Sequence, residues 1–547
     1  MTAHGPRLLP LMALLAALSV RAAEPVVDFV IVPGDTLIGL SASVFTSASA
    51  WREIARLNRL PDPNRIVPGQ VLTVPTRLLR SNAVDARVVS VVGNVRVGAA
   101  DSAVGDAVPE GQSVQTGPGS SAVIELADGS RMRLPPSSLA QVVTSRMTGE
   151  RGGAAAGSGT PGGGWFAGTM RVLRGSVEVI ASKVRRAKPL EVVTPTAVVG
   201  VRGTRYRVGL DETSDERTHG EVTEGTVRFD VPRAAAGADV AAGFGAVADA
   251  GGAAPSVAKL LPAPDLAPVP ERFERPLVRF ALPAQATPLR IQVASDNAFD
   301  KIVVDQRVEA GGEVRIAGLA DASWYLRARA VDARGIEGLD ADRAFVLKAR
   351  PEPPAYRTPR AEAKQQVGSV DFAWAPNVDA PQVRLQIAED DAFTKLITDR
   401  PVPDATLRTD IAAPGIYHWR LASVRASGDQ GPFGDPQRFE LRPFPEPPKV
   451  GRSADGATLT FQWGGRAQDR QQVELASDLG FTQIVAKDEL AAAQWTLPTP
   501  SRGGRYYFRY RSLEPDGYVT PYSETLIVDV PRDWRVWLLL VPALLLF

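Results

Sequence analysis

The stretch TPTAVVGVRGTRYRV, residues 194–208, decides whether this region of the chain is a ligand-binding loop or part of a β-sheet. A glycine-rich loop that holds a phosphate needs a lysine after the glycines or the N-terminus of a following helix. Here no lysine follows Gly203, and residues 205–208 alternate arginine with apolar residues in the period of two typical of a strand. We therefore expect Gly200 and Gly203 to allow a bend or close sheet packing. Arg202 is interpreted as an exposed or cross-strand-paired arginine rather than an anion ligand.

Residues 84–257, which surround this stretch, carry short β-prone runs separated by turn signals. Apolar residues alternate or cluster at 88–92, 122–126 and 177–180, and Asp128-Gly129 lies between two such runs as a hairpin turn would. Helical periodicity is scarce. The pattern predicts an all-β domain, and it leaves open a sandwich or a short β-solenoid-like roll.

This domain resembles the FecR family. The resemblance rests on short motifs at residues 105–106, 114–117, 125–130, 174–175, 194–206 and 224–227. It implies a periplasmic β domain for protein contacts or envelope sensing. FecR proteins of iron-uptake systems carry a cytoplasmic anti-sigma segment and a transmembrane helix before this domain. Here an export signal and another module occupy that place, which argues against control of a sigma factor.

Residues 28–76 predict a small α+β module. Phe29 to Val32 is a short β run, and Asp35 or Thr36 can cap a helix with apolar residues at positions 37, 40 and 44. A second helix carries Trp51, and a Pro68-Gly69 turn precedes a second strand at 71–74. The expected order is strand, helix, helix, strand.

The module resembles the LysM domain, through residues 32–37, Asn58 and residues 66–75. LysM domains bind N-acetylglucosamine-containing glycans, in bacteria usually peptidoglycan. The resemblance implies a groove between the turn after the first strand and the turn before the second. The glycan-binding residues expected from it are Gly34, Asp35, Thr36, Leu37, Ile66, Pro68 and Gly69.

Residues 276–531 contain a threefold repeat. One signature reads LRIQVASDNAF at 289–299, VRLQIAEDDAF at 383–393 and VELASDLGF at 473–481. In the other, Arg327, Arg420 and Arg509 each lie the same distance before a glycine. We expect three tandem β-sandwich modules at 276–350, 355–444 and 447–531, after a semi-rigid Pro- and Ala-rich linker at 258–275.

The repeats resemble fibronectin type III domains, which usually act as spacers or adhesive surfaces. The resemblance covers an aromatic strand and a strand with a Tyr-x-x-Arg-like pattern. Trp374, Trp419 and Trp463 are expected in the module cores rather than on carbohydrate platforms. His418, between Tyr417 and Trp419, is expected to face outward.

Both ends of the chain carry apolar segments. Arg7 followed by the apolar run 8–20 is typical of a secretory signal peptide, assigned to residues 1–23. Within the tail at 534–547, the apolar run 536–547 would reach about 18 Å as a helix, whereas a bilayer core needs about 30 Å. This tail could act as a tail anchor, as a sorting tail or as a strand packed on a partner, and the sequence does not choose among these three interpretations. Weak membrane association is the favoured interpretation.

Composition excludes several classes of chemistry. The 62 lysines and arginines balance 61 acidic residues, so no nucleic-acid partner is expected. The chain has no cysteine, and of its 3 histidines only His219 and His418 lie outside the predicted signal. Most catalytic triads and metal sites that need histidine or a thiolate are therefore not expected. The acids Glu389, Asp390 and Asp391 are interpreted as solvated turn residues rather than a hydrolase pair.

Together these features predict a mainly β, multidomain protein without enzymatic activity, cofactor or metal. We expect it in the periplasm or cell envelope of a Gram-negative bacterium, with peptidoglycan as ligand and other envelope proteins as further partners. The alternative is a FecR-type sensing or regulatory protein. A cell-wall hydrolase is disfavoured.

Overall fold

The computed structural model describes residues 26–31, 33–148, 165–184, 186, 189–201, 203–211, 214–234, 236–282 and 286–531. The predicted signal and apolar tail lie outside these ranges, and so does Arg202. The chain divides into two compact units, Met1–Leu347 and Lys348–Phe547. Strands predominate throughout the described residues, which confirms the predicted mainly β class.

The small N-terminal module, predicted at residues 28–76, has the expected strand–helix–helix–strand order. Its elements are β1 (Val26–Val30), α1 (Leu37–Ser43), α2 (Ala50–Leu57) and β2 (Val71–Pro75), followed by a 3-10 turn at Thr76–Leu78. Strands β1 and β2 pair antiparallel with Phe29 opposite Leu72. Both side chains lie in a small core with Leu40 and Ile54, since the two helices cover one face of the strand pair.

The central domain is built from two sheets. Its strands in chain order are β3 (Ser81–Ala83), β4 (Ala86–Val92), β5 (Val95–Val97), β6 (Ala100–Asp101), β7 (Ala107–Val108), β8 (Ser113–Thr116), β9 (Ser121–Glu125), β10 (Arg131–Leu134), β11 (Leu139–Thr148), β12 (Trp165–Arg174), β13 (Ser176–Ile180), β14 (Leu190–Val193), β15 (Val198–Val201), β16 (Arg205–Asp211), β17 (Ser214–Glu224), β18 (Thr226–Val231), β19 (Ala236–Ala241), β20 (Phe244–Asp249) and β21 (Ser256–Lys259). A 3-10 turn at Pro232–Ala234 separates β18 from β19.

Sheet A has the strand order β21-β20-β17-β16-β13-β10-β9-β4-β7, and sheet B has the order β19-β18-β15-β14-β12-β11-β8-β5-β6, with β3 also paired to β11. The chain alternates between the sheets one or two strands at a time. Neighbours are antiparallel except β12 and β14, which run parallel. Between the sheets lies one apolar core that includes Ile124, Val179, Tyr206 and Phe229. The domain is therefore a two-layer sandwich with a regularly alternating chain path.

The glycine pair of residues 200 and 203 marks one crossing between the two sheets. Strand β15 pairs with β14 and β18 in sheet B, whereas β16 pairs with β13 and β17 in sheet A. Gly203 has a φ of 65°, in the left-handed region that favours glycine. The predicted bend is confirmed, and its role is to pass the chain from one layer to the other.

The first C-terminal sandwich comprises β22 (Arg272–Phe273), β23 (Val278–Ala281), β24 (Leu289–Ala294), β25 (Ile302–Val308), β26 (Glu313–Ile316), β27 (Ala322–Ala330) and β28 (Ala341–Leu347). A sheet of order β22-β28-β27-β24-β25 faces the pair β23-β26. The segment 258–275, expected as a linker, is packed. It buries Leu260, Leu266 and Val269, and Leu261 accepts a hydrogen bond from the Leu339 amide at 2.9 Å.

The second sandwich comprises β29 (Tyr356–Thr358), β30 (Ala363–Gln366), β31 (Gly368–Trp374), β32 (Gln382–Ala388), β33 (Leu396–Val402), β34 (Thr406–Ile411), β35 (Gly415–Val424), β36 (Gln430–Phe433) and β37 (Gln437–Arg442). Its sheets are β29-β31-β34 and β30-β37-β35-β32-β33, with β36 on β35. Trp374 and Trp419 are buried in its core, as predicted. His418 is partly exposed between two buried aromatic neighbours.

The third sandwich comprises β38 (Lys449–Arg452), β39 (Thr458–Gln462), β40 (Arg470–Ala476), β41 (Ile484–Leu490), β42 (Gln494–Pro498), β43 (Gly504–Leu513) and β44 (Leu526–Val530). Its sheets are β38-β39-β42 and β41-β40-β43-β44. Trp463 packs against this core and stacks on Tyr510 with ring centroids 5.0 Å apart. The expected series of three β-sandwiches is therefore present.

The loops that carry Glu389, Asp390 and Asp391 have a structural explanation. Asp390 accepts hydrogen bonds from the amides of Thr394 and Lys395 at 3.0 and 2.7 Å, and these bonds, the Lys395 one above all, lower its pKa. Asp296 and Asp478 accept the corresponding bonds in the other two repeats. These acids hold the loop between two strands, as the turn interpretation expected.

Candidate functional site

The seven residues predicted to bind a ligand lie in two adjacent turns. Gly34, Asp35 and Thr36 precede α1, Leu37 is its first residue, and Ile66, Pro68 and Gly69 precede β2. The Ile31 amide donates to the Gln70 carbonyl at 2.9 Å, and the Gly69 amide donates to the Ile31 carbonyl at 2.8 Å. These bonds extend the β1–β2 pairing, so the structure brings the two turns together at one end of the strand pair.

Glycine is required in both turns by backbone geometry. Gly34 has a φ of 93° and Gly69 a φ of 85°. A Cβ atom added at either position would meet nothing within 4 Å, so the space above both turns is open. A hydrogen bond within the second turn stabilises it, since the Val67 amide donates to the Gln70 side-chain oxygen at 3.0 Å.

Thr36 and Leu37 have structural roles that limit what they offer a ligand. The Thr36 hydroxyl accepts a hydrogen bond from the Gly39 amide at 3.0 Å and caps α1. Leu37 is only 2% exposed and its side chain is part of the core. Binding through Leu37 stays a prediction, and it would use the backbone, since the first turn of α1 directs the side chain into the core.

Two apolar residues that the sequence reasoning missed are exposed beside these turns. Ile38 and Val67 are each 60% exposed, whereas Ile66 packs partly against the core. Each of the two exposed residues adjoins a predicted one in sequence. The available signal was an apolar residue next to a turn motif, but only the structure shows which of two adjacent apolar side chains faces outward.

The site offers hydrogen-bonding groups and apolar surface rather than reactive groups. Asp35 is the one ionisable residue among the seven predicted positions. Asn58, part of the sequence motif, holds α2 to β2: its Nδ2 donates to the Ile54 and Thr73 carbonyls at 2.9 and 2.8 Å, and its Oδ1 accepts from the Thr73 amide. The arrangement is suited to binding, and nothing in these two turns provides a nucleophile with an adjacent base.

Family comparison agrees with this geometry. Residues 29–75 match the model described as the LysM domain. This segment is a LysM domain. Residues 112–228 match the model described as FecR protein, so the central sandwich is a FecR domain. Domains of these two kinds bind or regulate rather than catalyse.

Comparison with solved structures finds matches of low sequence identity that cover larger shares of the chain than the two family models do. The FN1-FN3 domains of chicken CNTN1 share 12% identity over 47% of this chain and 95% of that one, with a TM-score of 0.20. The fibronectin(III)-like modules of Clostridium thermocellum CbhA share 13% identity over 32% of this chain and 93% of that one, with a TM-score of 0.21. No curated protein matches the chain.

The LysM domain is packed against the FecR domain. Phe29 of the LysM core lies 5.3 Å, between ring centroids, from Trp165 at the start of β12. Strand β3, which follows the LysM domain, pairs with β11 from Ser81 to Ala83. The LysM domain therefore contributes to the same compact unit as sheet B, while its two turns remain open.

Among the described residues, no helix is both long and apolar enough to cross a membrane. Within the same ranges, no group of three His, Asp or Glu side chains is arranged to hold a metal ion.

Proposed function

We propose that this is a non-enzymatic protein of the bacterial cell envelope that binds peptidoglycan, or a related N-acetylglucosamine glycan, through its LysM domain. The observation that supports it most directly is the pair of joined, open turns within the LysM match. On this proposal the FecR domain and the three sandwiches present surfaces to other envelope proteins. The apolar run at 8–20 supports export to the periplasm.

The chemistry of the turns fits an amino-sugar chain. Backbone amide and carbonyl groups in turns can pair with acetamido and hydroxyl groups, while exposed apolar side chains cover the apolar faces of the sugar rings. Val67 and Ile38 supply such side chains. A single shallow site gains little against the entropy lost on association, so we expect weak binding.

Val67→Glu tests the proposal. Val67 is 60% exposed, so the substitution leaves the LysM core intact while placing a charge over the second turn. We expect at least about tenfold weaker binding to purified peptidoglycan in co-sedimentation, or about 1.4 kcal/mol. The matched control is Leu57→Glu, at a residue of α2 that is 47% exposed and outside both turns. Equal binding by Val67→Glu and wild type would contradict the proposal.

Point variants are preferable to deleting the LysM domain. Its removal would uncover Trp165 of the FecR domain, because that ring packs against Phe29 of the LysM core. Loss of binding by a deletion variant would then have two explanations. Release of soluble muropeptides is not expected from the wild-type protein, and its detection would favour a hydrolase.

The alternative is a sensing or regulatory role, which the FecR match over residues 112–228 supports. It predicts that loss of the protein changes transcription of a defined set of genes and that the full-length chain restores it. An unchanged transcriptome would count against this role and leave the glycan-binding proposal untouched.

A further inference from the structure

The FecR domain meets the first sandwich through charged side chains that are buried. From sheet A, Glu221 is 0% and Arg207 is 6% exposed; from β27 of the sandwich, Arg329 is 3% exposed. Buried charges are costly unless each is paired and hydrogen-bonded. The stability of this contact therefore depends on its charge balance as well as on the apolar packing of Ile336 against Val247 and Leu260.

Hydrogen bonds cross the contact in both directions. Arg207 donates to the Asp340 carboxylate and to the Gly338 carbonyl, both at 2.8 Å, and to the Glu337 carbonyl at 3.1 Å. In return the Glu337 amide donates to the Glu221 carboxylate at 3.1 Å. A second charged pair spans the contact, in which Arg133 of β10 donates to the Asp300 carboxylate at 2.5 Å.

His219 lies at the centre of this contact. Its Nδ1 is 2.8 Å from the Glu221 carboxylate, and its side chain is 12% exposed. The ring fills the space beside Gly209, where an added Cβ would lie 2.7 Å from it. A cavity beside it, with room for about one water molecule, is lined by residues from both domains, among them Arg133, Arg329 and Glu337.

Charged groups face His219 from every element packed around it. Those of sheet A are Arg133 (β10), Glu178 (β13), Arg207 (β16) and Glu221 (β17); those of the sandwich are Arg290 (β24), Asp305 (β25), Arg329 (β27) and Glu337 (the loop before β28). The neighbouring ion pairs bring in Arg205, Asp300, Arg327, Asp340 and Asp342. We call these thirteen groups and His219 the interface cluster.

With all seven of its carboxyl groups ionised, the interface cluster is neutral only when His219 is protonated. Burial raises the pKa of Asp305, and its ion pair with Arg290 opposes that rise. The interface cluster contains the carboxylates of Glu178, Glu221, Asp300, Asp305, Glu337, Asp340 and Asp342 and the guanidinium groups of Arg133, Arg205, Arg207, Arg290, Arg327 and Arg329. Seven negative charges thus face six positive ones, and the imidazolium supplies the seventh. The pair Arg131–Glu125 at the edge adds one charge of each sign.

We propose that docking of the first sandwich onto the FecR domain is linked to protonation of His219: the imidazolium keeps the contact closed, and loss of its proton loosens it. Deprotonation leaves Glu221 with one countercharge fewer while it still accepts the Glu337 amide. An excess negative charge in a nearly dry contact is unfavourable, and it is relieved when the two domains separate and water enters.

The electrostatics around His219 support the proposal. Burial alone lowers the pKa of His219, but Glu221 and Glu337 outweigh it, and the net pKa is raised above the ordinary value of 6.5. A raised pKa in the folded state contributes stability that is complete below the unfolded pKa and is lost as pH rises through the folded one. The contact is therefore expected to weaken from neutral toward alkaline pH.

The test uses the intact protein with isotope-labelled histidine imidazoles. His418→Gln assigns the ring signals by removing those of the other histidine outside the predicted signal. We expect the His219 ring to titrate with a midpoint above 6.5. Over the same pH range, amide exchange in residues 332–340, corrected for its intrinsic pH dependence, should rise at least about tenfold. The corresponding loop of the second sandwich, residues 425–434, is the internal control.

A variant separates His219 from other causes of pH dependence. His219→Gln should make exchange in residues 332–340 independent of pH, whereas His418→Gln should leave the wild-type profile unchanged. If His219→Gln does not fold, the comparison of the wild-type His219 titration with amide exchange in residues 332–340 is the test of the proposal. A His219 ring that is neutral below pH 6.5, or exchange that does not follow its titration, would overturn the proposal.

Discussion

Arg186 is a buried charge on which the FecR domain depends. Its guanidinium is 2.6 Å from the Asp128 carboxylate, and the two side chains are 1% and 3% exposed. It also donates to the Ser130 hydroxyl and the Ser182 carbonyl at 2.8 and 2.9 Å. Removing one partner of such a pair leaves an uncompensated charge out of contact with water.

We expect Arg186→Ala to destabilise the FecR domain by about 3–5 kcal/mol, because Asp128 loses its countercharge where water cannot replace it. Thermal unfolding of the full-length protein measures this. Arg228→Ala is the matched control, since the Arg228–Asp230 pair is half exposed and should contribute little. Similar melting temperatures for the two variants would show that the Arg186 pair is not needed for stability.

The sequence predicted part of this arrangement. Asp128-Gly129 forms the expected turn, with Gly129 at a φ of 80° and the Ser130 amide donating to the Asp128 side chain. Turn chemistry of this kind depends on a few consecutive residues. The ion pair with Arg186 spans 58 positions, and no local pattern indicates which arginine will face a given aspartate.

At the scale of elements, the crossing between β15 and β16 tests the role of its two glycines. Gly203→Ala places a side chain at a φ of 65° with its Cβ 3.1 Å from the Lys183 side chain. We expect it to lower the stability of the FecR domain by about 1–2 kcal/mol. Scanning calorimetry of the intact chain provides the measurement, with amide exchange in β15 and β16 to localise the effect.

Gly200→Ala is the control within the same motif. It lies inside β15 at an ordinary φ, and an added Cβ would be 3.7 Å from Pro189, an ordinary contact distance. A small effect, within about 0.5 kcal/mol, is expected. If both glycines tolerated alanine equally, the crossing would not require the left-handed conformation at Gly203.

The three repeats share an arginine–phenylalanine contact that their sequence signatures did not predict. In each, a phenylalanine with positive φ lies under the guanidinium of the repeated arginine. The arginine carbon is 3.8 Å from the Phe299 ring centroid for Arg327, 4.0 Å from Phe393 for Arg420 and 3.8 Å from Phe481 for Arg509. The two signatures therefore meet on one sheet face, as cation–π pairs. The spacing predicted strands, but not this contact between them.

At the scale of whole domains, the second and third sandwiches are joined by a charged contact. Glu514 of the third sandwich accepts hydrogen bonds from Arg442 at 2.8 Å and from Lys364 at 2.7 Å. Its side chain is 7% exposed, against 10% for Arg442 and 18% for Lys364. Glu514 thus pairs with two partly buried cations across the joint, in addition to the pairs that Lys364 makes with Asp516 and Arg442 makes with Glu440.

Glu514→Gln should weaken this joint by about 1–2 kcal/mol, because Arg442 loses the carboxylate it pairs with across the joint, while Lys364 still pairs with Asp516. Faster amide exchange in β30 and β37 is the expected readout. Glu489→Gln removes the acid of a more exposed pair with Arg470 and should leave exchange there unchanged. Unaltered exchange in Glu514→Gln would mean that the joint does not rely on this carboxylate.

The amino-acid sequence by itself determined the class and order of the modules: an α+β unit with two turns, an all-β domain with its glycine bend, and three sandwiches. Those features follow from periodicity and turn residues, which act over a few positions of the chain. Only the tertiary structure decided that Leu37 faces the core, that Val67 is exposed, and that His219 sits between two domains. The reason is that burial and charge pairing depend on which sheets stack together, and that is settled by contacts between residues far apart in sequence.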